Sequence, residues 1–245
     1  MENKNLTKQN YWDETYKNLT FFKPSSFDPI NRLIKKYIKK TTEEKTIFEV
    51  GCFPGRYLSV FGDLGYTLNG IDLTPRVKSD LPKWLNNCGY KIGSFYQEDF
   101  ITCQNQGVYN ITCSFGFIEH FTNYKEVLIK HISYVSNNGY IIITTPNFSG
   151  FIQKFLHSTF DKENLKRHYL PSMNPFDWKE IIEKEGFEIL YCGWWGGFDF
   201  WAEKEGNGYL GKIIVKLLNI SGKLLRFIPF NSSFFSPYSV IVARR

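Results

Sequence analysis

The chain is poor in sulfur and in histidine. Its 245 residues include two methionines, five cysteines and four histidines, and Cys52, Cys88, Cys103, Cys113 and Cys192 never fall as CxxC. An odd number of widely spaced thiols excludes a disulfide framework and a zinc knuckle, so they read as reduced thiols of a cytoplasmic protein. No stretch reaches the roughly 18 uninterrupted apolar residues of a membrane span. Residues 1–30 lack the apolar run of a signal peptide, so neither export nor membrane spanning is expected. Charge of one sign is also scarce: 30 Lys and Arg against 24 Asp and Glu leave a formal +6, with no basic block, and nucleic acid is not expected as a partner. No internal repeat is visible. What the chain does have is 42% hydrophobic residues, with 18% aromatic, which is enough to close one sizeable core without staples.

Short β-rich runs alternate with amphipathic stretches. Asp28-Pro29 is a cap followed by the proline favoured at a first helical position; it opens a helix whose apolar face is Ile30, Leu33, Ile34, Tyr37 and Ile38. Arg32, Lys35, Lys36, Lys39 and Lys40 take its solvated side. Strands are expected at Thr46–Val50, Thr67–Ile71, Ile92–Tyr96, Tyr109–Ser114, Tyr140–Thr145, Phe187–Cys192 and Tyr238–Ala243, with helices after Gly55, around Leu81–Leu85, over Tyr124–Tyr134 and from Asn174-Pro175 to Gly186. Residues 147–173 read as irregular or weakly helical. Such alternation implies an α/β fold, a doubly wound, mostly parallel sheet with helices on both faces.

The strongest local signal is Glu49-Val50-Gly51-Cys52-Phe53-Pro54-Gly55-Arg56 at a strand-to-helix turn. Glycines there let a ligand approach the backbone and its N–H groups. Asp72, at the end of the second strand, is placed to accept hydrogen bonds from ribose hydroxyls, which points to an adenosine-containing ligand. A dinucleotide fingerprint needs GxGxxG, whose second glycine admits the pyrophosphate; here Phe53 and Pro54 stand between Gly51 and Gly55 and disfavour a diphosphate. The acid two positions before Gly51 favours a cationic moiety instead.

On these residues the sequence resembles the class I S-adenosylmethionine-dependent methyltransferases. The family's acidic residue followed by x-G-x-G-x-G is matched by Glu49, Gly51 and Gly55, with Phe53 in place of the middle glycine. The resemblance implies a seven-stranded Rossmann-like sheet with an antiparallel last strand and S-adenosyl-L-methionine as cofactor. It assigns cofactor binding to Glu49, Gly51, Gly55, Asp72, Asp99 and Phe100. It divides the chain into an N-terminal helical cap over 1–42 and a methyltransferase domain over 43–245, with acceptor-side insertions around 147–173 and 193–228. The Asn-Pro-Pro-Tyr type signature of amino-group methylation is absent, and Thr145-Pro146-Asn147 does not replace it. The expected acceptor is therefore a hydroxyl oxygen of a small molecule, a glycan intermediate or a quinone-like or phenolic metabolite. The rival readings are an NAD(P)-dependent oxidoreductase on the same scaffold and a non-catalytic binder of the cofactor.

If a hydroxyl is the acceptor, something must take its proton. Glu119 and His120, just past the fourth strand, are the candidates for catalysis, and a helix-start pair is the equal structural alternative. His168 is a further candidate on the segment that could cover the site. A Glu-His pair also suits a divalent ion, but with no two further ligands legible no metal is expected. Arg56 is read either as a cofactor-carboxylate partner or as a surface residue. Tyr11 and Trp12, and the cluster Trp194, Trp195, Phe198, Phe200 and Trp201, are read as packing against the core, with acceptor or cofactor contact as the alternative. The basic amphipathic stretch 209–227 is expected to fold onto the sheet, with peripheral contact to an anionic membrane or a dimer interface as its alternatives.

Overall fold

The computed structural model describes residues 5–104, 106–200, 209–225 and 230–245. In chain order the elements are α1 (Gln9–Tyr16), α2 (Pro29–Tyr37), β1 (Thr46–Val50), α3 (Leu58–Asp63), β2 (Thr67–Asp72), α4 (Asp80–Asn87), β3 (Ile92–Gln97), β4 (Tyr109–Phe115), α5 (Tyr124–Ser133), β5 (Val135–Pro146), α6 (Phe151–Phe160), α7 (Lys162–Lys166), α8 (Pro175–Lys184), β6 (Glu188–Trp195), α9 (Tyr209–Leu225) and β7 (Tyr238–Arg244). The seven strands form one sheet in the order β3-β2-β1-β4-β5-β7-β6. The pairs from β3 to β5 are parallel, while β7 runs antiparallel to both β5 and β6. The expected α/β fold, with its antiparallel last strand, is the one observed.

Strand alternation sorts the core into two layers. Ile47, Leu68, Ile111, Ile142 and Val242 face α2, α3 and α4 in one buried cluster. Phe48, Val50, Ile71, Ile141 and Ile241 face α5 and α8 in the other. The capped helix forms as its sequence requires: Asp28 accepts from the N–H groups of Ile30 and Asn31 at 2.9 and 3.0 Å, and Ile30, Leu33 and Ile34 are buried. Trp178 of α8 is fully buried, its Nε1 donating to Ser172 O at 2.8 Å. Trp178→Ala is expected to cost about 3–5 kcal/mol, read as a lowered denaturant midpoint in equilibrium unfolding.

Four expectations are corrected. Residues 147–173 are not irregular: they contain α6, α7 and a 3-10 turn at Leu170–Met173. The α6 helix is inverted relative to an ordinary amphipathic one. Its Gln153 and His157 are buried, while Phe151 and Phe155 are 67% and 60% exposed. Gln153 Nε2 donates to Asp199 O at 2.7 Å and Phe235 O at 2.9 Å, and His157 Nδ1 lies 2.9 Å from Asp161 Oδ2. Second, β5 begins at Val135 and runs through the Asn137-Asn138-Gly139 breaker, because Asn138 adopts φ 60 and the register with β4 shifts there. Third, α9 does not bury its apolar stripe on the sheet. Ile213, Ile214, Leu217, Ile220 and Leu225 are between 38% and 60% exposed, since helices already cover both faces. Arg226 and Phe227, assigned to that stretch, lie outside the described residues, as does Trp201. Fourth, Tyr11 and Trp12 belong to α1, which buries none of its residues. None of the described helices is long and apolar enough to cross a membrane.

Candidate active site

The strand order reverses between β1 and β4, and a crevice outside the carboxyl ends at such a point is where open α/β sheets bind ligands. A cleft lies there, walled by Gly51 and Phe53 after β1, Ile71, Asp72 and Leu73 at the end of β2, Glu98, Asp99 and Phe100 after β3, and Gly116, Phe117, His120 and Phe121 after β4. Asn5, Gln9, Trp12 and Tyr16 close it from the N-terminal segment.

The glycine turn works by close approach. Gly51 and Gly55 have φ of +66 and +75; a Cβ on Gly51 would stand 2.7 Å from the Phe117 ring, and one on Gly55 2.3 Å from Leu81 Cδ1. Its N–H groups are turned inward rather than toward a ligand. Those of Gly51 and Cys52 donate to Ile71 O, and that of Phe53 donates to Asp72 Oδ2 at 3.1 Å. Phe53, which replaces the family's middle glycine, packs between Tyr16 and Phe21 with its ring centroid 5.1 and 5.6 Å from theirs.

Asp72 is held from both sides, its Oδ1 accepting from Thr74 N–H at 3.0 Å. Burial pushes its carboxyl up to about 6, and the N–H groups of Thr74, Phe53 and Leu73 pull it back. The sign follows directly: the ionised form, the one able to accept from two hydroxyls, is present above about pH 6 and is lost as pH falls through it. Calorimetric titration with S-adenosylhomocysteine is expected to give a flat affinity above pH 7 and up to about a tenfold loss for each pH unit below 6. A profile flat to pH 5 would remove Asp72 from cofactor recognition.

Glu49 does not line this cleft. It is 4% exposed beneath the turn, and burial raises its carboxyl well above the ordinary range while Arg56 and the Leu58 N–H act against this. Its Oε2 has no hydrogen-bond partner among the described residues. Asp99 lines the cleft, and its Oδ1 accepts from Ile101 N–H at 2.8 Å, the capping the sequence allowed. Phe100 is 3% exposed and packs between Phe117 and His131, with one edge on the cleft.

Glu119 and His120 sit in a 3-10 turn, Ile118–His120, and are 1% and 6% exposed. Burial pushes Glu119 up to about 8. His120 is pushed down to about 3 by burial and then by His168, so it is neutral. Its ring stands 5.3 Å from that of Trp12 and 4.8 Å from that of His168. A Cβ on Gly116 would lie 3.3 Å from Glu119 Oε1. Gly116 also borders a second cleft, lined by Asp28, Arg56, Tyr57, Thr144, Thr145 and Tyr238 among others. Arg56 is half-buried in the wall of that cleft, its Nη2 donating to Tyr57 OH at 2.7 Å. Trp194, Trp195, Phe198 and Phe200 line neither of these two clefts. Trp195 donates to Pro29 O at 2.7 Å and Trp194 packs on Phe176. Sequence reasoning missed Asn5, Gln9, Tyr16 and Phe117; the aromatic N-terminal segment was the available signal.

A sheet of this order with a cleft of this kind defines a Rossmann-like methyltransferase fold. The dinucleotide rival falls on topology, since its sheet is parallel in the order 3-2-1-4-5-6. A family model described as a methyltransferase domain matches residues 23–191, and the chain belongs to this family of S-adenosylmethionine-dependent methyltransferases. Comparison with curated proteins gives no significant match. Among solved structures, a SAM dependent methyltransferase from Archaeoglobus fulgidus aligns with a TM-score of 0.55 at 18% identity, over 98% of this chain and 100% of its own. The magnesium protoporphyrin IX methyltransferase of Synechocystis PCC 6803 with bound SAH aligns with a TM-score of 0.55 at 10% identity, over 97% and 94%. At such identities these two show the shared fold. The walls fit S-adenosylmethionine: acids at the ends of β2 and β3 suit ribose and adenine edges, Phe100 and Phe117 supply apolar faces, and the Gly51 turn leaves no side chain in the way.

Proposed function

We propose that this methyltransferase acts on a hydroxyl oxygen of a small molecule, with Glu119 and His120 at the reacting end of the cleft. The observation that carries the reading is the position of Glu119. Its buried carboxyl adjoins Gly116, the residue shared by the cofactor cleft and the second cleft. An acceptor reaching in from the second cleft comes to Gly116, where the two volumes join, and Glu119 behind it takes the proton in its ionised form, which is present above about pH 8. Asp72, Asp99 and Phe100 hold the adenosine part, and Gly51 and Gly55 admit the rest, with Glu49 buried beneath the turn. The cofactor, when bound, supplies an electrophilic methyl on a cationic sulfur. The residues contribute alignment, exclusion of water and removal of one proton. Arg56, Asp28 and Asp199 give the second cleft hydrogen-bonding groups of both signs and Tyr57 and Tyr238 two phenol rings, suited to a polyhydroxylated acceptor such as a glycan intermediate, or to a quinone-like or phenolic ring.

The test is incubation of a cell extract with methyl-labelled cofactor and the protein, followed by mass spectrometry of the product. Label on an oxygen of a small metabolite supports the reading; label only on nitrogen or carbon, or on protein, rejects it.

A further inference from the structure

Glu119 and His120 have a third companion that the sequence did not place beside them. One donor atom each of Glu119, His120 and His168 lies within 4.8 Å of the others. His168 follows α7 and is brought in by the chain after it, where Tyr169 N–H donates to Glu119 O at 2.7 Å.

The two imidazoles are oriented alike. His120 Nδ1 lies 3.0 Å from Arg167 O and 3.1 Å from Thr7 Oγ1, and His168 Nδ1 lies 2.6 Å from Asn164 O. A carbonyl only accepts, so Nδ1 bears the hydrogen in each ring and Nε2 bears the lone pair. Fixing a ring through its far N–H to a backbone carbonyl is how proteins set the tautomer and direction of metal-binding histidines. Independently, Glu119 Oε2 is buried with no hydrogen-bond partner among the described residues, on a side chain 1% exposed. A buried carboxylate oxygen left so is costly unless something positive meets it.

We propose that Glu119, His120 and His168 bind one divalent transition cation at the edge of the cofactor cleft. Two imidazole nitrogens and one carboxylate form a donor set suited to zinc, manganese, cobalt or ferrous ions, whereas calcium and magnesium prefer oxygen alone. Three protein ligands leave coordination positions open, and Gly116 beside Glu119 directs them toward the junction of the two clefts. This deepens the hydroxyl-methylation reading and rests on it for its chemical role. A hydroxyl meeting the cation is acidified and its proton leaves to water, so that with the cation bound Glu119 and His120 act as ligands in place of a base. The oxygen pair then forms the bond to the methyl as the carbon–sulfur bond breaks, and the sulfur departs as a neutral thioether. The sequence-level expectation of no metal rested on the lack of further ligands, and the fold supplies one.

The full-length, tag-free protein is stripped with a chelator and titrated with cobalt(II), followed by calorimetry and by visible absorption. S-adenosylhomocysteine binding is measured separately. One equivalent of cobalt with absorption bands characteristic of nitrogen and oxygen ligands is expected, displaced by zinc. His168→Ala and Glu119→Gln should each weaken cobalt binding at least about tenfold, with homocysteine-analogue affinity held within about twofold as evidence of an intact cleft. If His168→Ala loses that affinity, the nearly isosteric Glu119→Gln decides. No cobalt uptake by a wild-type protein that binds S-adenosylhomocysteine overturns the metal site and leaves the methyltransfer reading intact. Uptake unchanged in the deciding variant also overturns it. Uptake that depends on these residues in a protein transferring no methyl to oxygen sustains the site and removes its proposed use.

Discussion

Asp72→Ala is expected to abolish measurable S-adenosylhomocysteine binding. Two hydrogen bonds from hydroxyls to an ionised carboxylate are worth about 1.5–3 kcal/mol each, so removing both costs roughly a hundredfold to ten-thousandfold in affinity. The substitution also removes the acceptor for Phe53 N–H and Thr74 N–H, which loosens the turn that carries Gly51. Asp72→Asn separates the two effects, because its amide oxygen keeps one such acceptor while losing the charge. An intermediate affinity for Asn and none for Ala is the expected order, read by calorimetry at pH 7.5. A loss under tenfold in the alanine variant would place the ribose elsewhere.

Glu119→Gln is expected to lower turnover by about 10²–10⁴ while sparing S-adenosylhomocysteine affinity, since Glu119 stands behind Gly116 and is not among the residues walling the cofactor cleft. The glutamine keeps the size of the side chain and removes its ability to take a proton or to balance a positive charge. His120→Ala is expected to lower turnover too, and to loosen the N-terminal segment, because Thr7 Oγ1 lies 3.1 Å from Nδ1 of the His120 ring and Trp12 packs edge-on against that ring. Transfer of label into the product identified from the extract gives the rates. Full activity in both variants would remove this pair from the chemistry.

Most of the sheet was legible because its signals are local. A β-branched run stopped by Gly51, Asp72 or Pro146 carries its own ends, and the Asp28-Pro29 and Asn174-Pro175 caps mark helices without reference to anything distant. The α6 helix was not legible, since it buries Gln153 and His157 beside Leu156 and exposes Phe151 and Phe155. Hydrophobic periodicity reads apolar faces, and here the buried face is largely polar, with the Gln153 amide nitrogen donating to the carbonyls of Asp199 and Phe235. The α1 helix escaped for a similar reason, because it lies across a cleft with no buried face of its own. The site divides in the same way. Asp72 and Asp99 could be read from strand ends, whereas the meeting of His168 with Glu119 and His120 depends on how the segment after α7 returns, which no spacing in the chain encodes.

The position of β7 bears on how the molecule is made. This strand comes after all the others, yet it lies between β5 and β6 and supplies pairing to both. During vectorial synthesis the five strands up to β5 can assemble, but β6 has no neighbour until residues 238–244 have emerged. Until then the β5 flank, with Ile141, Ile142 and Ile143, is an open edge exposed to other nascent chains. A ribosome stalled between β6 and β7 would therefore leave a sticky intermediate, and yield should respond to chaperone supply at that stage more than at any earlier one.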